Sequence, residues 1–184
     1  MSETPPPHLP PPPAGEVVVL RPYRPEDGRW IAERHGALYH QEFGWDLAFA
    51  DLVAGIVADM ERQFDPARER CWIADRDGER LGCVALLRHR EQEGVAKLRI
   101  LLVDPSARGL GIGDRLVTAC TDFAREAGYH TITLWTVSSL AVARRLYERA
   151  GYQLVASEPE HAFGQDIINE TWELRLIEQG RRYD

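Results

Sequence analysis

The chain has 184 residues, with 22 Lys and Arg against 29 Asp and Glu for a formal net charge of −7. That length fits one domain with its own hydrophobic core, and the charge excludes a nucleic-acid partner, because phosphate binding needs Lys and Arg gathered on one face. No apolar run reaches the ~20 residues of a membrane helix and no basic-then-apolar leader opens the chain, so a cytoplasmic protein without a membrane partner is expected.

Residues 1–15, MSETPPPHLPPPPAG, hold many prolines and almost no core-forming side chains. They read as a disordered tail, with a ligand for a partner's aromatic groove as the alternative. The domain is expected over 16–184. It opens with a strand at Glu16 to Arg21, followed by Pro22 and the capping-prone Asp27. Apolar residues then recur at helical spacing around Trp30, Ile31 and Leu38, and again at Leu52, Ile56 and Met60, which predicts two helices. Cys71 to Ala74 and Arg80 to Leu87 flank Asp77-Gly78, a hairpin-turn dipeptide between alternating apolar segments.

Ala96 to Val103 is the next strand, ended by Pro105. Leu116, Val117, Cys120, Phe123 and Ala124 trace one face of a helix that Gly128 closes. Thr131 to Thr136 is strand, Ala141 to Ala150 helix, and Tyr152 to Ser157 and Asn169 to Ile177 are the last strands, with His161 to Gln165 as a connection. The order describes a mixed α/β domain without internal repeats. Cys71, Cys83 and Cys120 make no CxxC pair and sit in apolar patterns, so they read as buried free thiols with no metal site.

The chemistry concentrates at Arg108-Gly109-Leu110-Gly111-Ile112-Gly113, placed between a strand and an amphipathic helix. Alternating glycines let the backbone turn tightly and approach a ligand, and the helix start offers unpaired N–H groups and a partial positive charge, a setting that binds phosphate oxygens. A tight connection alone would also explain them. A P-loop is ruled out because Asp114-Arg115 follows Gly113, and a dinucleotide GxGxxG would need glycine at Asp114.

Arg108, Gly111 and Gly113 instead resemble the acyl-CoA loop of the GNAT superfamily, Arg/Gln-x-x-Gly-x-Gly/Ala. Leu101-Leu102-Val103-Asp104-Pro105 resembles that family's fourth strand, and Ala143-x-x-Leu146-Tyr147-x-x-x-Gly151-Tyr152 its closing motif. His35 to Asp46, HGALYHQEFGWD, is similar to acetyltransferase domains fused behind a MarR-type DNA-binding domain, here in a stand-alone form. The resemblance implies the GNAT fold, a mixed central sheet with a splayed strand at the acetyl-CoA site and about four flanking helices. It further implies an N-acetyltransferase that passes an acetyl group from acetyl-CoA to a primary amine in a ternary complex, without a metal. A non-catalytic acyl-CoA-binding domain is the alternative. Where the family often has Asn this chain has Leu140, so Ser138 or Ser139 is expected to replace that contact. The carboxylate of Asp114 is expected to point outward, offset by Arg108 or Arg115.

By that resemblance, acetyl-CoA is held by Leu101, Leu102, Val103, the turn Arg108, Gly109, Leu110, Gly111, Ile112, Gly113 and Asp114, with Ser139 and Tyr147. Tyr147 is assigned as general acid, since a phenol of pKa ~10 can protonate a departing thiolate, and main-chain N–H groups near Leu102 or Val103 as oxyanion donors. Glu42 is the first candidate for the base, then His40 and His161. Acceptor recognition is assigned to His40, Phe43, Trp45, Arg99, Trp135, His161 and Phe163. Lys97 and Arg99 share one face of a central strand, where unpaired charge is costly. An internal Glu or Asp is the expected partner, and a carboxylate on the acceptor is the alternative. An unpaired edge strand leaves room for a homodimer.

Overall fold

The computed structural model describes residues 17–176; the expected tail over 1–15, together with Glu16 and Ile177, lies outside them. Seven strands form one sheet in the order β1-β2-β3-β4-β5-β7-β6. In chain order the elements are β1 (Val19–Pro22), α1 (Asp27–Phe43), α2 (Leu47–Gln63), β2 (Arg70–Arg76), β3 (Glu79–Arg88), β4 (Val95–Val103), α3 (Ile112–Glu126), β5 (Thr131–Val137), α4 (Ala141–Arg149), β6 (Gln153–Ala162) and β7 (Gln165–Arg175). The Asp77-Gly78 dipeptide makes the β2–β3 turn with both φ angles positive, 53° and 86°, the geometry that suits a two-residue hairpin loop.

The sheet separates two apolar layers. Leu116, Val117, Cys120, Phe123 and Ala124 of α3 and Leu146 and Tyr147 of α4 pack on one face with Val84, Leu86, Leu98 and Ile132. Ile31 and Leu38 of α1 and Phe49, Val53, Val57 and Met60 of α2 pack on the other with Cys71, Ile73, Cys83 and Ala85. No helix among the described residues is long and apolar enough to cross a membrane.

β4 carries the irregularity that makes the site. Cys83 pairs with Leu102 and Ala85 with Arg99, so Val84 faces two residues, Ile100 and Leu101. This is a bulge with its extra residue on β4. Ile100 takes φ +52°, which for a β-branched side chain costs about 1–3 kcal/mol and persists only where the surroundings fix it. The extra residue also reverses the alternation: Ala96 and Leu98 lie in the layer of α3 and α4, whereas Ile100 and Leu102 lie in that of α1 and α2. Beyond this point β4 stays on β3 to the Val103–Gly82 pair, while its parallel pairing with β5 stops at Leu98–Leu134 and β5 follows β7 to Val137. The two strands diverge.

One expectation is corrected here. His161 to Gln165 is not a loose connection: β6 runs to Ala162 and β7 resumes at Gln165, leaving Phe163 (φ 54°) and Gly164 (φ 76°) as a tight turn. β6 is an edge strand, exposed along almost its whole length. Its Pro159 and its charged residues are tolerated because an edge needs no further ladder donor.

Candidate active site

The divergence of β4 from β5 opens a cleft of about 860 Å³. Residues from both apolar layers reach it, among them Tyr39 of α1, Val53 of α2 and Leu146 of α4. Main-chain groups of β4 past Leu98 have no ladder partner on the β5 side, so Leu101 and Val103, both on the cleft wall, can offer backbone polar groups to a ligand, whereas the carbonyl of Leu102 is turned toward Gly82 of β3.

The glycine turn closes one end. Asp104 anchors its start by accepting from Ser106 N (3.0 Å) and from Arg34 Nε (2.6 Å). A 3₁₀ turn over Pro105–Ala107 leads into Gly109 and Gly111, with φ of 82° and 71°. The first main-chain bond of α3 runs from Arg115 N to Gly111 O at 3.1 Å, which leaves the amides of Ile112, Gly113 and Asp114 free at the positive end of the helix. A Cβ on Gly111 would meet nothing within 4 Å, so glycine serves the left-handed φ there; at Gly113 a Cβ would stand 3.1 Å from Leu146 Cδ2, so glycine allows α3 to approach α4.

Arg108, Gly109, Gly111, Ile112, Gly113 and Asp114 all line the cleft. Leu110 does not, and is 53% exposed. Asp114 is exposed at the cleft rim and its partner is Arg149 at 3.1 Å, neither of the two arginines expected: Arg115 donates to Val18 O and Arg108 binds Glu42 Oε1 at 2.6 Å. The first candidate base is thus tied to the turn arginine. Ser139 lines the cleft, and Leu140 is buried among apolar residues.

Tyr147 lies on the cleft wall and is 5% exposed. Burial, with smaller contributions from Tyr39 and Cys120, pushes its phenol well above the ordinary value, so the hydroxyl stays protonated and available as a donor. On the acceptor side Phe43, Trp45 and Trp135 line the cleft. Trp45 is almost fully buried and packs edge-on to Phe49 (4.8 Å) and stacked on Phe163 (4.8 Å). Phe163 itself does not reach the cleft wall; it braces Trp45 and stands 6.3 Å from Trp135.

Neither candidate histidine reaches the cleft wall. His40 Nδ1 donates to Trp45 O at 2.9 Å, closing the end of α1, and His161, on exposed β6, bonds Asp166 at 2.7 Å. The histidine that lines the cleft is His35, which opens the His35 to Asp46 segment but is not among the site residues expected from the sequence. His35 Nδ1 faces Ile31 O at 2.7 Å, and because a carbonyl only accepts, Nδ1 carries the hydrogen. Its Nε2 is buried without a partner. Burial lowers its pKa to about 4, opposed by the Ile31 and Ile100 carbonyls, so the ring is neutral.

Arg99 also corrects an expectation: it lines the cleft, yet among the described residues no internal carboxylate pairs with it or with Lys97, and burial lowers the pKa of both. Among the described residues no group of His, Cys, Asp or Glu is placed to hold a metal ion.

Residues 29–152 match the acetyltransferase (GNAT) family. An uncharacterized N-acetyltransferase of Schizosaccharomyces pombe is 34% identical over 116 residues, 62% of this chain and 70% of the relative. A mycothiol acetyltransferase of Cellulomonas flavigena is 32% identical over 153 residues, which are 79% of this chain but 42% of that protein. In fold, the chain is similar to yncA of Salmonella typhimurium, a structure described as an acetyltransferase with its cofactor acetyl-CoA, at TM-score 0.71 and 20% identity over 90% of this chain and 98% of that one. A family match across more than half of the chain, on a cleft of this construction, makes the protein a member of the GNAT acetyltransferase family.

Proposed function

We propose that the protein transfers an acetyl group from acetyl-CoA to the primary amine of a small molecule or peptide, by direct attack within a ternary complex. The observation that carries this reading is one cleft joining the Gly111 turn, with its free helix amides, to Tyr147. The residues present fit the co-substrate: the glycines leave the turn without side chains where a diphosphate must approach, and the opened flank of β4 offers backbone groups to an amide-bearing arm. Acetyl-CoA supplies the activated thioester.

The chain's own residues then have distinct tasks. The amides of Ile112, Gly113 and Asp114 and the Arg108 guanidinium hold phosphate oxygens; accepting them requires Arg108 to divide its donors between the ligand and Glu42. Of the two main-chain N–H groups expected to stabilise the developing oxyanion, Val103 is the one on the open flank of β4, since Leu102 is turned toward β3. The Tyr147 hydroxyl, which its raised pKa keeps protonated, gives its proton to the leaving sulfur as negative charge builds there. A primary ammonium must first lose a proton; Glu42, on the cleft wall, takes it directly or through water.

Calorimetric titration with acetyl-CoA, followed by a free-CoA release assay with amino acids, polyamines, aminoglycosides and peptides, tests the reading. A side chain at Gly111 is strained in the left-handed region and intrudes where the ligand must approach, so Gly111→Val is expected to weaken binding by roughly 100-fold or more. Equal binding by that variant would remove the turn from the site.

A further inference from the structure

The charged side chains on the cleft wall are Glu42, Arg99, Arg108, Asp114 and Arg149, besides neutral His35. Arg108 is paired with Glu42 and Arg149 with Asp114. Arg99 alone of this set lacks a partner among the described residues. The carboxylate whose charge Arg99 feels is Asp59 of α2, but Asp59 is exposed and paired with Arg62 one helical turn away. The next cation on the same strand face, Lys97, adds repulsion and does not relieve it.

The position of Arg99 in the fold is equally specific. It is the first β4 residue past the last β4–β5 pair, Leu98–Leu134, and so stands where the two strands begin to part. Across β3 it faces Ala85, which is too small to cover it. Leu52 and Ile56, on one face of α2, and Trp135 of β5 give the cleft an apolar wall. Arg99 is half-buried and, among the described residues, without a counter-charge, so its guanidinium can receive an anion that arrives in fork geometry.

We infer that Arg99 binds a carboxylate on the acceptor, so that the substrate class is a carboxylate-bearing amine of amino-acid size. This rests on the proposed acetyl transfer. A charge-assisted pair at a partly buried arginine discriminates by roughly 10- to 100-fold. The carboxylate and the amine are therefore both read, one by Arg99 and the other at the parting of the strands.

The test compares the twenty L-amino acids with their carboxamides, and with β-alanine and 4-aminobutyrate to set the spacing between amine and carboxylate. Free-CoA release is measured for wild type, Arg99→Gln and Arg99→Lys, and equilibrium binding of the same compounds is measured on CoA-saturated protein, which needs no turnover. A free acid is expected to exceed its amide by roughly 10-fold or more in kcat/KM and in affinity. That ratio should collapse in Arg99→Gln through KM and recover in part in Arg99→Lys. Acids and amides used or bound equally well, no binding of any acid, or a ratio unmoved by Arg99→Gln would each overturn the inference. Acetyl-CoA affinity of Arg99→Gln, expected at the wild-type level, reports that the variant is folded, and failure of wild type to bind acetyl-CoA at all would instead refute the proposed function.

Discussion

Two groups of buried charge stand on opposite terms. Where β1 meets α1, the Asp27 carboxylate is fully buried, yet it accepts from Arg21 at 2.8 and 2.9 Å, from Arg80 at 2.7 Å and from the Arg24 amide at 2.8 Å. Burial pushes its pKa up, but those four donors outweigh burial and bring it down to about 2. In the cleft, by contrast, the Nε2 of His35 has no partner, Arg99 has no carboxylate among the described residues, and Tyr147 is a buried residue of the wall. Asp27 is satisfied by the fold, because leaving a buried polar group unpaired costs about 1–3 kcal/mol. Unpaired atoms are not confined to the cleft, since Tyr152 Oη and Asn169 Oδ1 are also buried without partners, but those on the cleft wall stand where another molecule can complete the bonding.

The contrast predicts opposite responses to substitution. Tyr147→Phe removes a hydroxyl needed as the thiolate leaves, so kcat should fall by ~10²–10⁴. Acetyl-CoA affinity and the denaturation midpoint should move little. Pre-steady-state CoA release, under conditions where chemistry limits, reads this; an unchanged rate would make Tyr147 a packing residue. Asp27→Ala should do the reverse, lowering stability by about 3–5 kcal/mol because two arginines lose their shared carboxylate, with kcat unchanged. Urea denaturation beside steady-state kinetics would separate the two, and a loss of rate at full stability would break the comparison.

His35 adds a pH dependence of calculable sign. Its folded pKa is near 4 against an ordinary 6.5, so between these values the unfolded chain binds the proton and the folded chain does not. Its contribution is complete above pH 6.5, declines as the pH falls from 6.5 to 4, and amounts to about 3 kcal/mol. Asp27, whose pKa is lowered from 3.8 to about 2, loses its contribution only below that window. Denaturant midpoints at pH 7.5 and 4.5 should therefore converge in His35→Gln, and an unreduced gap would assign the acid sensitivity to other groups.

The smallest effect is expected at Glu42, a paired residue within the unpaired region. Glu42→Gln should keep acetyl-CoA binding, slow turnover by roughly 10-fold as one route for the amine proton closes, and shift the acidic limb of kcat/KM. A rate and pH profile equal to wild type would leave Glu42 as a support for Arg108 alone.

Much of this is legible in the sequence. The Asp77-Gly78 hairpin, the apolar face of α3 and the glycine turn follow from local spacing, because each depends on residues within a few positions of one another. The bulge at Ile100 could not be read: Arg99-Ile100-Leu101-Leu102 is an unbroken run in which a skipped register leaves no mark, and the register is set by β3. The extension of β6 through Glu158-Pro159-Glu160 was hidden because proline and like charges argue against a strand unless it is known to be an edge. The buried state of His35 depends on α2 and on Ile100, distant in sequence. Arg99 stands out in the sequence, but whether a carboxylate of the chain meets it depends on tertiary structure.

Cys83 turns the strained point of β4 into something that can be timed. Its thiol, fully buried and raised well above its ordinary pKa by burial, donates to the Ile100 carbonyl at 3.2 Å, while Cys71 and Cys120 are buried elsewhere in the core. A thiol so placed reacts with an alkylating reagent only when its surroundings open. Site-resolved labelling, read peptide by peptide by mass spectrometry, would thus clock local opening beneath Ile100 separately from unfolding of the rest of the domain, with Cys120 as the internal reference.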